Sequence, residues 1–197
     1  RKESSAASDV YKRQELGLGI LFITHDLALA QERSDAIVVL QDGEIREQGR
    51  ADEVLSDPRH PYTIRLLSDS PASSPLRYRD RIAQRDTRRE TSDAGAEREA
   101  VVEVAGVSKR YGRDPDAPKA LDDVSLTLRR GSIHALVGES GSGKSTLARI
   151  AAGLTSFDDG AVAVAGRDLP QTPSVANPFA RQLQLVYQNP LSAVDPR

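Results

Sequence analysis

Apolar residues in this chain occur in two groups of short runs, separated by a long polar stretch. In the first group, residues 19–24 and 36–40 are continuous, apolar and rich in β-branched side chains, as strands buried on both faces are. In the second group, residues 101–111 and 120–128 alternate between apolar and polar positions, as half-buried strands do. The pattern predicts an α/β fold that also contains an antiparallel β portion.

Short helices and turns are predicted between the strands. Asp26 is placed to cap a helix over residues 27–33, and the pair Asp42-Gly43 is typical of a hairpin turn. The other predicted elements are helices over residues 51–56, 64–67 and 146–153, and strands over residues 44–48, 132–137, 161–165 and 183–187. This alternation of strands with helices supports the α/β class.

Two segments lack any such periodicity. Residues 1–14 are polar and resemble translated adaptor sequence, so we expect a non-native or disordered tail. Residues 69–100 are rich in Ser, Pro, Arg, Asp and Glu, and cannot bury enough apolar surface to offset the entropy lost on ordering. We therefore expect a tail (1–14), a first segment (15–68), a linker (69–100) and a second segment (101–197).

A glycine-rich motif follows the predicted strand at residues 132–137. Residues 138–145 read Gly-Glu-Ser-Gly-Ser-Gly-Lys-Ser, which fits the phosphate-loop pattern of Gly, four residues and Gly-Lys-Ser. Glycines let the backbone approach an anion, and the loop amides and the N-terminus of the next helix then point at phosphates. Lys144 adds a mobile positive charge, and Ser145 offers a hydroxyl to a magnesium ion. The alternative, a flexible Gly/Ser linker, is not expected between an apolar strand and an Ala/Leu helix.

The predicted site binds a nucleotide through its polyphosphate. Its expected contacts are Glu139, Ser140, Gly141, Ser142, Gly143, Lys144, Ser145 and Thr146.

Composition narrows the classes of function. The 197 residues include no Cys, which excludes disulfides, thiolate zinc sites and cysteine nucleophiles within them. The net charge of −2 provides no field for capturing nucleic acid, so we expect no nucleic-acid partner. No apolar run approaches the length needed to span a bilayer. Any contact with a membrane is therefore expected to occur through a partner.

The second segment resembles the nucleotide-binding domain of ATP-binding-cassette (ABC) transporters. Tyr111, the phosphate loop and Gln188 occur in the order and approximate spacing of that family. The resemblance implies a P-loop NTPase fold with an antiparallel β subdomain, in which Tyr111 stacks on adenine. It also implies that Gln188 contacts magnesium and the attacking water, so that Ser145 and Gln188 are the expected metal contacts. Residues 187–197 resemble the oligopeptide/dipeptide importer subfamily.

The first segment resembles the end of the same domain. Residues 22–27 are similar to its switch-histidine strand, which implies that His25 contacts the γ-phosphate and is catalytic together with Gln188. Residues 41–49 resemble the terminal hairpin, and residues 59–63 resemble the tail motif of peptide importers. The chain therefore looks like the end of one cassette followed by the start of a second, each incomplete. Neither part contains the Leu-Ser-Gly-Gly-Gln signature or the apolar strand that supplies the catalytic glutamate.

The resemblance implies an ATP-binding and ATP-hydrolysing subunit that powers the import of peptides or related small solutes. Its implied cofactors are ATP and Mg²⁺, and its implied partners are integral-membrane permease subunits and a second cassette that completes the composite ATP site. Its implied location is peripheral, at the cytoplasmic face of the bacterial inner membrane. Two alternatives stay open: a truncated, catalytically inactive nucleotide-binding fragment, and an ABC ATPase that works without a transporter.

One structural hypothesis follows from having both segments in one chain. In the family, the histidine strand lies beside the phosphate-loop strand, and here residues 19–24 supply the first and residues 132–137 the second. We expect these strands to pair in parallel, with the first segment docked as a circularly permuted complement of the second. His25 would then lie near Lys144, whereas in an intact two-cassette protein it would serve the loop of the other cassette.

Overall fold

The structure, a computed structural model, describes residues 18–69, 99–112, 114, 116–173, 179 and 182–185. Its elements are β1 (Ile20–Thr24), α1 (Leu27–Arg33), β2 (Ala36–Gln41), β3 (Glu44–Arg50), α2 (Ala51–Ser56), α3 (Pro61–Ser68), β4 (Ala100–Arg110), β5 (Lys119–Arg129), β6 (Ile133–Val137), α4 (Lys144–Ala151), β7 (Asp159–Val164) and β8 (Arg167–Asp168). They form two four-stranded sheets with short helices, which confirms the predicted fold class.

Strands from both segments share the first sheet, whose order is β1-β6-β2-β3. β6 is central and runs parallel to both neighbours, pairing Ile20 with Ile133 and Thr24 with Val137 along β1. β3 returns antiparallel to β2 through the turn at Asp42 and Gly43. Both turn residues have positive φ, 50° and 80°, as the hairpin prediction requires. The expected parallel pairing of the two segments is therefore confirmed.

The second sheet belongs entirely to the second segment and is antiparallel, with order β5-β4-β7-β8. Along β4, Val102 and Val104 are buried while Glu103 and Ala105 are exposed, which follows the alternation seen in the sequence. This sheet is the antiparallel β subdomain that the ABC resemblance implies. It places the end of β4 and the start of α4 close together.

Two apolar clusters hold the sheets and helices together, and both segments contribute to each. Val38 and Leu40 of β2 pack with buried residues of the second segment, including Leu136 and Leu147. The intervening Val39 faces the other way, into a cluster built mainly from the first segment. The members that β6 adds to this second cluster are Ala135 and Val137. Because side chains alternate along strands, β2 and β6 each feed both clusters, and neither segment closes a core by itself.

Two helices begin earlier than the sequence pattern predicted. α3 begins at Pro61 rather than at residue 64, because proline suits the first helical position and the His60 Nδ1 accepts the Tyr62 N–H at 3.1 Å. α4 begins at Lys144 rather than at residue 146, because the glycine loop turns directly into the helix. Residues 183–185 are described and belong to no strand, contrary to the prediction there.

Several predictions fall on residues outside the described ranges. They concern the tail at residues 1–14, nearly all of the linker at 69–100, and residues 186–187 of the last predicted strand. The division of the chain into these domains stays a prediction.

An engineered disulfide tests the parallel pairing of β1 with β6. Leu21 lies opposite His134, so their side chains point to the same face, within the Cα separation that a disulfide spans. Since the chain has no natural Cys, we expect Leu21→Cys/His134→Cys to form an intramolecular disulfide that speeds migration on a non-reducing gel. Leu21→Cys/Ala135→Cys is the matched control, because its two thiols point to opposite faces. Equal cross-linking of both variants, or cross-linked dimers alone, would contradict the pairing.

Candidate nucleotide-binding site

The loop between β6 and α4 has a backbone that only glycine accommodates at two positions. Gly138 has φ of 150° and Gly143 has φ of 103°. A Cβ on Gly138 would lie 2.1 Å from the Leu40 carbonyl oxygen, and one on Gly143 would lie 2.4 Å from that of Ala120. Both distances are far below van der Waals contact. The glycines therefore let the loop pack directly onto β2 and β5.

The ammonium group of Lys144 lies inside this loop. Its Nζ donates to the carbonyl oxygens of Gly138 (3.0 Å) and Glu139 (2.5 Å) and to the Ser142 hydroxyl (3.1 Å). Burial lowers the pKa of Lys144, and the nearby Glu139 carboxylate partly opposes that shift. A cation surrounded by neutral oxygens can exchange them for a phosphate oxygen, which is a stronger acceptor.

The N-terminus of α4 directly follows the glycine loop. Its N-cap is Gly143, and among the described residues no side chain caps it. In α1, by contrast, the Asp26 carboxylate accepts the N–H groups of Ala28 and Leu29 at 2.9 and 3.1 Å. The first amides of α4 therefore carry the partial positive charge of a helix N-terminus toward the loop. Together with the half-buried Lys144 ammonium, this donor set fits a polyphosphate.

Tyr111 follows β4 and lies against the first turn of α4. Its hydroxyl is 3.5 Å from the Thr146 hydroxyl, and the residue is 51% exposed. The Lys109 Nζ lies 5.6 Å from the ring centroid, within the range of a cation–π interaction. The ring is thus held at the mouth of the loop and still offers surface on which a base can stack.

Lys109 is itself firmly placed, which fixes the position of the Tyr111 ring. It is 8% exposed, and its Nζ donates to the Ser156 hydroxyl at 3.1 Å and to the Asp158 carboxylate at 3.0 Å. Burial tends to raise the pKa of Asp158, but hydrogen bonds from the Arg110 N–H and from Lys109 lower it overall. Asp158 therefore stays ionised and holds the Lys109 ammonium next to the Tyr111 ring.

His25 lies at the same edge of the first sheet as the loop. β1 and β6 end together, with Thr24 paired to Val137, so His25 and Gly138 are the next residues at that edge. The His25 side chain is exposed. Gln188, the other residue expected to be catalytic, is outside the described residues. The structure thus brings together residues 139–146, Tyr111 and the strand end that carries His25.

Contacts from α3 to the loop were missed by the sequence analysis. The Tyr62 hydroxyl oxygen accepts the Glu139 N–H at 3.0 Å, and Arg65 forms an ion pair of 3.0 Å with the Glu139 carboxylate. In the sequence, the tail motif at residues 59–63 marks the start of α3. It does not indicate which part of the protein α3 packs against. The Glu139 amide, expected to face a phosphate, already has this acceptor.

The hairpin turn also reaches the loop. The Gly43 N–H donates to the Ser142 carbonyl at 3.1 Å, and the Gly43 carbonyl accepts the Asp122 N–H at 2.9 Å. The first segment therefore contacts the loop from two sides, through the turn and through α3.

Comparison with known proteins identifies the family. Residues 121–197, which include the whole phosphate loop, match the family model described as ABC transporter. Residues 121–197 belong to the ABC transporter family. This ABC assignment agrees with the sheet order and with the loop geometry, and it implies nucleotide binding.

Individual ABC relatives align along nearly the whole chain. The glutathione import ATP-binding protein GsiA of Salmonella typhimurium is 30% identical over 94% of this chain and 33% of its own length. The peptidoglycan transport ATP-binding protein YejF of Agrobacterium fabrum is 32% identical over 92% of this chain and 32% of its own length. The chain thus spans about a third of the length of these relatives. Within its described part, no helix is both long and apolar enough to cross a membrane.

Proposed function

We propose that the phosphate loop of this chain binds the polyphosphate of ATP together with Mg²⁺. The observation that carries the proposal is the Lys144 ammonium, half-buried and surrounded by three loop oxygens beside the uncapped N-terminus of α4. The oxygens that the Lys144 ammonium contacts in the described part of the chain are all neutral, and a polyphosphate offers it oxygens that carry negative charge.

The residues around the loop have distinct roles in this proposal. Lys144 and the first amides of α4 hold the β- and γ-phosphates, Ser145 offers its exposed hydroxyl to Mg²⁺, and Tyr111 stacks on adenine. Among the described residues, no group of three or more His, Asp or Glu could hold a metal ion. Mg²⁺ would therefore take most of its ligands from the nucleotide and from water, as it commonly does.

Hydrolysis needs groups beyond this cradle. Phosphoryl transfer depends on positioning and charge stabilisation, and His25 is placed at the sheet edge from which it could reach a γ-phosphate. Gln188 is proposed to contact Mg²⁺ and the attacking water. The sequence holds no Leu-Ser-Gly-Gly-Gln signature and no apolar strand ending in Asp-Glu. We infer that a second cassette, either in the same polypeptide or in a partner, supplies the signature that completes the composite ATP site.

For the longer protein, we propose an ATP-driven subunit that powers the import of peptides or related small solutes. The support comes from relatives named for glutathione import and for peptidoglycan transport. Its partners in this proposal are integral-membrane permease subunits. Its place is peripheral, at the cytoplasmic face of the inner membrane.

Adenine recognition by Tyr111 provides a specific test. Stacking of a base on an aromatic ring contributes about 1–3 kcal/mol, so Tyr111→Ala is expected to raise the Kd for MgATP by about 5- to 150-fold. Inorganic tripolyphosphate lacks a base, so its Kd should not change. Tyr111→Phe is the matched control, because it keeps the ring and should bind MgATP as the wild type does. Equal loss of both ligands, or no loss of either, would contradict the stacking role.

A phosphate-release assay separates the proposed enzyme from the inactive alternative. ATP turnover that Lys144→Ala abolishes supports an ATPase, whereas MgATP binding without turnover supports an inactive nucleotide-binding fragment. Co-purification of the full-length protein with a multi-span permease argues against the alternative of an ABC ATPase that works without a transporter.

A further inference from the structure

Helix α3 holds one residue of the phosphate loop at two points. The Tyr62 hydroxyl oxygen accepts the Glu139 N–H at 3.0 Å, and the Arg65 guanidinium meets the Glu139 carboxylate at 3.0 Å. Arg65 also lies 5.8 Å from the centroid of the Tyr62 ring. Tyr62 and Arg65 are three residues apart on α3, so one face of the helix presents both groups to the loop.

Tyr62 is built into the core as well as bonded to the loop. It is 5% exposed and belongs to the apolar cluster that includes Ala135 and Val137 of β6. Burial raises the pKa of Tyr62, while the hydrogen bond from the Glu139 N–H partly opposes the shift. The phenol therefore stays neutral at physiological pH and keeps a fixed position.

The contacts that Lys144 makes in the loop are of a different kind. Its Nζ donates to the carbonyl oxygens of Gly138 and Glu139, and must leave at least some of them when it turns to a phosphate. The contacts from α3 use the N–H and the carboxylate of Glu139 instead. They can persist when the ammonium moves, and so keep the loop in place during the exchange.

We propose that Tyr62 and Arg65 are positioning residues that hold the loop in its phosphate-binding conformation by fixing Glu139. This inference rests on the proposed function, because it gives α3 a part in setting the affinity for nucleotide. Tyr62 carries the larger share, since its residue is 5% exposed and its hydrogen bond is partly buried. The ion pair of Arg65 is exposed on both sides, 61% and 57%, and solvent and salt weaken such pairs.

The affinity arm of the test uses the full chain and isothermal titration with MgATP. Tyr62→Phe keeps the ring and removes the acceptor, and a net hydrogen-bond contribution of about 0.5–1.5 kcal/mol corresponds to a rise in Kd of about 2- to 12-fold. Arg65→Gln should give a smaller rise that disappears at high salt. Arg59→Gln is the matched control, because it removes an exposed Arg just before α3 and should leave the Kd unchanged.

The second arm measures amide hydrogen exchange without nucleotide. A general loss of stability would speed exchange throughout the fold, whereas the positioning role predicts a local change. We expect exchange at the Glu139 N–H to become at least about 10-fold faster in Tyr62→Phe, while amides of β4 and β7 keep their wild-type rates. If Tyr62→Phe does not fold, the salt-dependent Kd of Arg65→Gln decides.

The two arms separate the inference from the proposed function. Unchanged Kd and unchanged Glu139 exchange in Tyr62→Phe would overturn the positioning role, even if the wild type binds MgATP. A wild type that does not bind MgATP would overturn the proposed function, and the exchange rates would then decide whether α3 holds the loop.

Discussion

Replacement of Lys144 by Ala is expected to raise the Kd for MgATP by about 10- to 150-fold. Hydrogen bonds made by a charged group contribute about 1.5–3 kcal/mol, and at a half-buried position solvent screens them less than on the surface. The Nζ lies among loop oxygens at 2.5–3.1 Å, within the loop that we propose holds the phosphates. Isothermal titration of the wild type and the variant measures the change.

Lys119→Ala is the matched control for this prediction. Its ammonium pairs with the Asp122 carboxylate at 2.5 Å, and its side chain is 36% exposed. Like Lys144→Ala, this substitution removes one lysine charge, but it does so outside the phosphate loop. We expect the Kd of that variant to stay within a factor of two of the wild type. Equal weakening by both variants would mean that net charge, and not the loop, attracts the nucleotide.

Gly138→Ala is expected to lower the free energy of unfolding by about 3–5 kcal/mol, among the largest effects of a single substitution. The new Cβ would lie 2.1 Å from the Leu40 carbonyl oxygen, and neither backbone can move without separating β6 from β2. Urea unfolding monitored by circular dichroism measures the loss. Weaker nucleotide binding should accompany it, because the displaced backbone begins the phosphate loop.

Gly141→Ala is the control within the same loop. Gly141 also has positive φ, 84°, but a Cβ there would meet nothing within 4 Å. Only the backbone strain of a left-handed residue remains, which costs about 1–2 kcal/mol. Similar losses for the two variants would show that the close packing of the loop onto β2 does not exist in solution.

The elements of this fold were predictable because their signals are local. The continuous apolar run at residues 36–40 and the alternation over residues 101–111 each specify a strand without any knowledge of its neighbours. The glycine motif specifies a loop between a strand and a helix for the same reason. The early start of α3 could also have been predicted, since Pro61 suits a first helical position. The apolar pattern alone placed the start of the helix later.

The contacts between the two segments were harder to predict from the sequence. The pairing of β1 with β6 was expected only through the ABC resemblance, because the two strands lie more than a hundred residues apart in the chain. No local pattern indicates that the Tyr62 hydroxyl meets the Glu139 amide, or that Gly43 meets Ser142. Such hydrogen bonds depend on the tertiary arrangement of β2, α3 and the loop. These hydrogen bonds therefore become visible only in the three-dimensional structure.

The loop is supported by residues far from it in sequence. Backbone atoms of β2 pack closely against Gly138, and those of β5 pack closely against Gly143. Helix α3 fixes Glu139. The motif supplies the groups that meet a phosphate, and the surrounding segments supply its shape. This arrangement explains why both segments matter for a site whose sequence signature lies entirely in one of them.

The most direct test is a titration of the ¹⁵N-labelled chain with MgADP, followed by amide NMR spectra. If the glycine loop and the Lys144 ammonium form a cradle for a polyphosphate, the largest shift changes will occur at the amides of residues 140–146, and Lys144→Ala will remove them. Loop amides that stay unchanged at millimolar MgADP, or shifts confined to other parts of the fold, would contradict the account.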